Sequence, residues 1–377
     1  MKKIGITTFL SDNYGTCLQA YALQRACGNL GFCSEILDIE RAGGQEKPAA
    51  LLPAIKQLLS DFPRVTPLDY IKVRNAYRRK HDRFLKFQNT DLRKSDEKYY
   101  MAQGIGGAGE KYDFFITGSD MVWSEEFSRY AGTFFLQDIP YEKSGSYAPS
   151  FGKTEIDGTL RATYQEYLGG IKYLSCRERA GVTLIRNLSG RDAAFVCDPT
   201  LLFTKEEWIS FFGIPETVDA PVLVNCFGSL PKIFYGQAKL IKKRMGASGI
   251  RYLNTGRYDM KIELRHGPAD YGPVEFVRMV NGCRFMIVNG YHGLIFALIF
   301  EKPFVVLHRD AGEHWREHEE RMADLLSYVG LEERYIYADT DISKMELQID
   351  YSRVSKQLEE LRGESFRYLN GMLGDLG

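Results

Sequence analysis

Apolar and polar positions change period twice within the first forty residues. "KKIGITTF" is an apolar run, "YGTCLQAYALQRACGNLG" repeats apolar residues at helical spacing up to Gly31, and "CSEILDIE" alternates. These periods predict strand, helix and strand, a βαβ unit that favours a parallel sheet. Residues 41–66, with their Gly and Pro, predict an irregular excursion with a short helix. "LDYIKVRNAYRRKHDRFLKF" (68–87) predicts a helix with a concentrated basic face. Strands are then expected at "DFFITG" (113–118), within "GSYAPSFG" (145–152), at "IKYLSC" (171–176) and at "AAFVCD" (193–198), with the helix "ERAGVTLIRNLS" between the last two.

A composition shift at "GIPETVDAP" (213–221) marks the expected hinge, and the alternation restarts after it. Strands "VLVNCF", "IRYLN", "FMIVN" and "FVVLH" alternate with helices at 231–245, "PVEFVRMVNG", 293–300 and 314–329. The last stretch, "DYSRVSKQLEELRGESFRYLNGML", predicts a long helix with no strand after it. The fold class is therefore α/β. Two Rossmann-like domains, 1–215 and 216–345, are expected to face each other across a cleft, with a C-terminal helix (346–377) packing back on the first. A length of 377 residues agrees, because one core rarely serves so long a chain. In open parallel sheets ligands bind beyond the carboxyl ends of the strands.

Charge and cysteine usage narrow the function classes. The 49 basic and 49 acidic residues cancel, so no global field points to nucleic acid, and none is expected as a partner. "MKKIGITTFL" has too short an apolar run for a signal peptide, and "LIFALIF" is far below the ~18 residues of a membrane span. Seven cysteines without a Cys-x-x-Cys pair fit neither a zinc site nor a disulfide framework. Reduced thiols and a cytoplasmic location are the expectation.

Candidate chemistry collects at strand ends. In "VNGYHGLIF" (288–296) a strand ends at Asn289 and a helix is expected to start at Gly293. His292 would stand where the N–H groups of Gly293 and Leu294 and the helix dipole favour an anion. An imidazole titrates near ~6.5, which suits general acid or base work; the alternative is a histidine capping its own helix. Ser119 and Asp120 follow the strand "FFITG", either as site residues or as an Asx turn or N-cap. Arg177, after "YLSC", has the planar fork that binds carboxylate or phosphate, or else pairs with Glu178 or Asp192. Asn13, Tyr14 and Gly15 lead into the first helix without a dinucleotide fingerprint. His314 and His318 lie four apart, but Glu317 is misplaced for a His-Glu-x-x-His zinc site, so a solvated helix face is expected. The basic run 72–86 is either solvated or approaches an anionic membrane surface or lipid-linked molecule.

Six segments in order, "NYGTCLQAYALQ" (13–24), "YDFFITGSDMVW" (112–123), "SYAPSFG" (146–152), "SCRE" (175–178), "DPTLLF" (198–203) and "VNGYHGLIFALIFEKPFVVL" (288–307), together resemble the polysaccharide pyruvyl transferase family. That resemblance implies a glycosyltransferase-B-like fold, with the first domain on the acceptor side and the second on the donor side. It implies transfer of a pyruvyl group from phosphoenolpyruvate to a sugar, closing a ketal, in capsule, exopolysaccharide or cell-wall glycan synthesis. The family's essential histidine falls on His292 and its donor-holding arginine on Arg177. Asp120 is expected to orient or deprotonate the acceptor, and Asn13, Tyr14, Ser119, Ser150, Asn289, Gly293 and Leu294 to line the substrate. No metal or cofactor is expected. The expected partners are phosphoenolpyruvate and a saccharide, which the basic helix would meet in lipid-linked form at the inner membrane face. Met121 and Ser124 depart from the family's usual Gln and Asn, as do Asn289, Gly290 and Tyr291 before the histidine. Two rivals accompany the reading, a nucleotide-sugar glycosyltransferase and a non-catalytic glycan-binding or assembly protein.

Overall fold

The computed structural model describes residues 2–40, 66–128, 130, 132–216, 219–227, 232–255, 264, 270–308, 312–337 and 340–375. The side chains of 67, 128, 227, 232–234, 254, 255 and 312–319 are outside that description. The excursion expected at 41–66, except its last residue, and the side chains of the His314/His318 pair therefore lie outside the described part.

The first lobe contains β1 (Lys3–Thr7), α1 (Tyr14–Asn29), β2 (Cys33–Glu40), α2 (Pro67–Thr90), β3 (Lys94–Tyr100), β4 (Phe114–Thr117) and β5 (Ser144–Ser146). Its five strands are all parallel, in the order β3-β2-β1-β4-β5. It continues through α3 (Arg161–Gly169), β6 (Ser175–Cys176), α4 (Arg179–Ser189), β7 (Ala194–Phe195) and α5 (Lys205–Phe212). The β6–β7 pair is stitched to β5, where Ser146 N donates to Tyr173 O at 2.8 Å and Ser175 N to Ser146 Oγ at 2.8 Å. The second lobe comprises β8 (Val222–Phe227), α6 (Lys232–Met245), β9 (Ile250–Thr255), α7 (Pro273–Gly282), β10 (Phe285–Val288), α8 (Tyr291–Ile299), β11 (Phe304–Leu307), α9 (Gly312–Val329), β12 (Tyr335–Ile336) and α10 (Tyr351–Gly374). Its parallel sheet runs β12-β11-β10-β8-β9.

Burial on both faces explains why "FFIT", "FMIV" and "FVVL" are unbroken apolar runs, because helices cover both sides of a parallel sheet. β3, "KSDEKYY", escapes the hydrophobic pattern because it is an edge strand with mostly solvent-facing side chains. In each sheet the strand order reverses once, between β1 and β4 and between β8 and β10. Such switch points are where open α/β sheets leave a crevice for ligands.

The lobes do not stand apart everywhere. One apolar core runs from Ile4 and Ile6 through Tyr14 and Phe296 to Met286 and Val288. Tyr14 stacks on Phe276 with centroids 4.7 Å apart, and its hydroxyl donates to Tyr271 O at 3.1 Å. Tyr14 is thus a seam residue rather than the substrate contact expected from the sequence. Ion pairs Arg79–Asp270 (2.7 Å) and Arg179–Asp324 (2.8 Å) cross the same boundary. The terminal helix α10 does pack back on the first lobe. Cys197 N donates to Ser365 Oγ at 2.8 Å, and Tyr368 Oη donates to Ser146 O at 3.0 Å. It also holds the second lobe, where Tyr351 Oη donates to Lys302 O at 2.7 Å. All seven cysteines are free. Among the described residues no helix is long and apolar enough to cross a membrane.

Candidate functional site

The two switch points face each other, and one histidine joins them. After β10, Gly290 is extended and caps α8, which begins at Tyr291. His292 is therefore the second residue of the helix, not a residue ahead of it. Leu294 N already donates to Gly290 O at 3.1 Å, which removes it from the expected set of anion-binding donors. Gly293 has a packing reason: a Cβ there would come within 2.6 Å of Asn225 Oδ1, at the end of β8. Asn289 is buried, with its N–H directed to Asn225 O at 3.4 Å.

The first lobe clamps the His292 ring. Its side chain is 14% exposed, and Nε2 faces Asp198 Oδ2 at 3.4 Å, without the alignment of a full hydrogen bond. On the other side lies Gly15, where an added Cβ would overlap Nδ1. Asn13 N-caps α1, accepting from Gly15 N at 2.8 Å, and so fixes the glycine against the ring. Gly15→Ala is expected to displace the imidazole while the fold persists. Unchanged NMR signals from the His292 ring in that variant would refute the contact.

Behind the histidine is a buried charge cluster. Asp198 accepts from Thr200 N (3.0 Å) and Thr200 Oγ1 (2.7 Å) through Oδ1 and presents Oδ2 to Arg177 Nη1 at 2.7 Å. Burial alone would raise its carboxyl, but His292, Arg177 and Thr200 outweigh burial and hold it well below the usual carboxylate range. Arg177 has no side-chain exposure. Its Nη2 meets Asp120 Oδ1 at 3.3 Å, its Nε meets Glu178 Oε1 at 3.2 Å, and the guanidinium lies 4.6 Å from the Tyr291 ring centroid. Burial opposes its charge, but Glu178, Asp120 and Asp198 keep it firmly protonated.

This geometry corrects the role expected for Arg177: its fork is occupied by the protein's own carboxylates, so here it organises the site rather than gripping an acidic ligand. Asp120 adopts φ 70°, a left-handed conformation that Asp tolerates better than most residues, and its Oδ1 also accepts from Met121 N at 2.9 Å. Ser119 and Ser150 were expected at the substrate but are fully buried. Ser119 Oγ donates to Ala148 O at 2.7 Å, and Ser150 Oγ accepts from Gly152 N at 3.0 Å. Both serve the loops that carry Asp120.

Three functional-site candidates were given no role of their own in the sequence: Asp198, inside the "DPTLLF" segment, Gly15, in the loop before the first helix, and Arg321. "DPT" reads as an N-cap followed by Pro, which Asp198 indeed is, and nothing local shows that its second oxygen reaches another lobe. Arg321, on α9, lies 5.4 Å from the Tyr291 ring centroid; burial and the nearby Arg177 lower its pKa. Beside it is a cavity of about 50 Å³ lined by Gly152, Lys153, Thr154, Glu178, Ala180, Glu320, Arg321 and Asp324. That is room for a few waters, and its charges are mixed rather than positive. Among the described residues no three His, Cys, Asp or Glu side chains are placed to hold a metal ion.

Comparison with known proteins adds a family and a set of distant folds. The family model described as polysaccharide pyruvyl transferase matches residues 49–310. No curated protein matches the chain. Among solved structures, the chain is similar to a UDP-GlcNAc 2-epimerase from Methanocaldococcus jannaschii in complex with UDP-GlcNAc and UDP. The identity there is 11%, the TM-score 0.49, and 99% of each chain is covered. The UDP-GlcNAc 2-epimerase from Neisseria meningitidis bound to UDP-GlcNAc gives 11% identity and a TM-score of 0.46 over 100% of both chains. A glycosyltransferase from Streptomyces sp. SF2575 gives 12% identity and a TM-score of 0.39, covering 97% of this chain and 96% of that one.

Proposed function

The chain belongs to the polysaccharide pyruvyl transferase family, and on that premise we propose that it moves a pyruvyl group from phosphoenolpyruvate to a saccharide, closing a ketal and releasing phosphate. The observation that carries the proposal is the Asp198–His292 pair, a carboxylate and an imidazole from different lobes held 3.4 Å apart, with the imidazole at the switch point of the second sheet. His292 delivers a proton to C3 of the donor, which makes C2 electrophilic. One sugar hydroxyl adds at C2; phosphate leaves as a second hydroxyl of the same sugar adds. Of the two hydroxyl protons released, one replaces the proton given to C3 and the other leaves with phosphate. Asp120 receives the acceptor's hydroxyl, and Arg177 holds Asp120 and Asp198 in place.

Lys153 and Arg321, the cations lining the adjoining cavity, are assigned to the donor's acidic groups. No cofactor or metal enters this account, since the donor is itself a substrate. The acceptor is a precursor of a surface or cell-wall polysaccharide, met on the cytoplasmic side.

Thermal shift and product analysis test the donor. Phosphoenolpyruvate is expected to raise the melting temperature, with a gain near 2.7 kcal/mol at about a hundred times Kd. Inorganic phosphate should then appear when a saccharide acceptor is added. If nucleotide sugars stabilise the protein instead and a nucleoside diphosphate is released, the glycosyltransferase reading replaces this one.

A further inference from the structure

The cations of α2 divide into two sets. Arg79 pairs with Asp270 and Arg83 with Glu275 (3.4 Å), while His81 Nδ1 meets Asp12 Oδ2 at 2.6 Å. Lys80 is buried, 5.2 Å from the Tyr14 ring centroid. These residues fasten α2 to the rest of the molecule. Lys72, Arg74, Arg78 and Lys86 are exposed, and no ion pair joins them to another described residue.

Large apolar side chains share the exposed side. Val73, Ala76, Phe84 and Phe87 bury one face, whereas Leu68 (78% exposed), Ile71 (52%) and Leu85 point outward. Positions 68, 71, 72, 74, 75, 78, 82, 85 and 86 follow the three- and four-residue spacing of a single helix face. Asp82 is the one acid among those positions, against Lys72, Arg74, Arg78 and Lys86. A merely solvated helix has no use for Leu68 and Ile71 on its basic face. A second copy of the chain would oppose like charges across a two-fold axis, which is unfavourable.

We infer that this face of α2 docks on an anionic membrane surface, with Leu68 and Ile71 entering the acyl boundary and Lys72, Arg74, Arg78 and Lys86 meeting acidic headgroups. The inference stands on the surface alone and does not depend on the reaction.

Cosedimentation of the full chain with vesicles of phosphatidylcholine, with and without phosphatidylglycerol, tests it. The chain should bind only the anionic vesicles and come off at high salt. Arg74→Glu/Arg78→Glu removes two cations and should weaken partition about thirty-fold or more. Leu68→Ser/Ile71→Ser should weaken it as well. Both double variants should keep wild-type phosphate release with a water-soluble acceptor, which separates failure of docking from failure of the proposed reaction. Absence of wild-type binding to anionic vesicles overturns the inference, as does equal binding by either double variant. A solution dimer split by Ile71→Ser would also overturn it, because a second copy would then cover the face.

Discussion

Replacing His292 with alanine is expected to lower phosphate release by about 10²–10⁴-fold while leaving the fold in place, the usual contribution of a positioned acid or base. The ring sits in the first turn of α8 between Gly15 and Asp198. A histidine serving its own helix would behave oppositely, costing about 1 kcal/mol of stability and no turnover. Steady-state rates and circular dichroism on one preparation distinguish the two. Turnover at the wild-type level would remove the imidazole from the chemistry.

Arg177→Met should have the larger effect on stability. It strips the cation from Asp120, Glu178 and Asp198, and leaving buried charges uncompensated typically costs about 3–5 kcal/mol. The pH dependence follows from Asp198. In the wild type its depressed carboxyl contributes stability that is fully present above the unfolded-state value of about 3.9. That contribution fades only as pH falls through the lower folded value, so it is intact between pH 5 and 7. Without Arg177, Asp198 keeps His292 and Thr200 but loses a cation, so burial raises its carboxyl relative to the wild type and the variant should lose less stability than the wild type as pH falls from 7 to 3. Urea midpoints at both pH values provide the check. Arg177→Lys, which keeps the charge and loses the fork, should fold and lie between the other two. A methionine variant as stable as wild type at pH 7 would contradict the cluster's described role.

Much of the fold was legible because both parallel sheets bury both faces, leaving unbroken apolar runs at β1, β4, β8, β10 and β11. What escaped gave little pattern to read: β3 lies on an edge and β12 contributes two residues, while β6 and β7, expected at 171–176 and 193–198, shrink to two residues each. The segments of the site were legible too, since His292, Arg177, Asp120 and Ser119 converge. Their individual roles were not. A sequence shows that arginine follows a strand and precedes Glu178, but not that two further carboxylates from separate loops, Asp120 and Asp198, close around it. Nor does it show that Gly15 is small because a ring from the other lobe lies against it. Residues assigned to substrate by position, such as Tyr14 and Ser150, proved to be packing and turn residues, because an aromatic or hydroxyl group beside a loop serves either purpose equally well.

The helix α10 has a consequence for synthesis. Met372 rests where Gly145 leaves space on β5, and Ser365 and Tyr368 satisfy backbone groups of the first lobe. Those partners leave the ribosome only after both sheets have been translated. The nascent first lobe must therefore wait with that flank unclosed until the helix emerges, the two halves locking together in one late event.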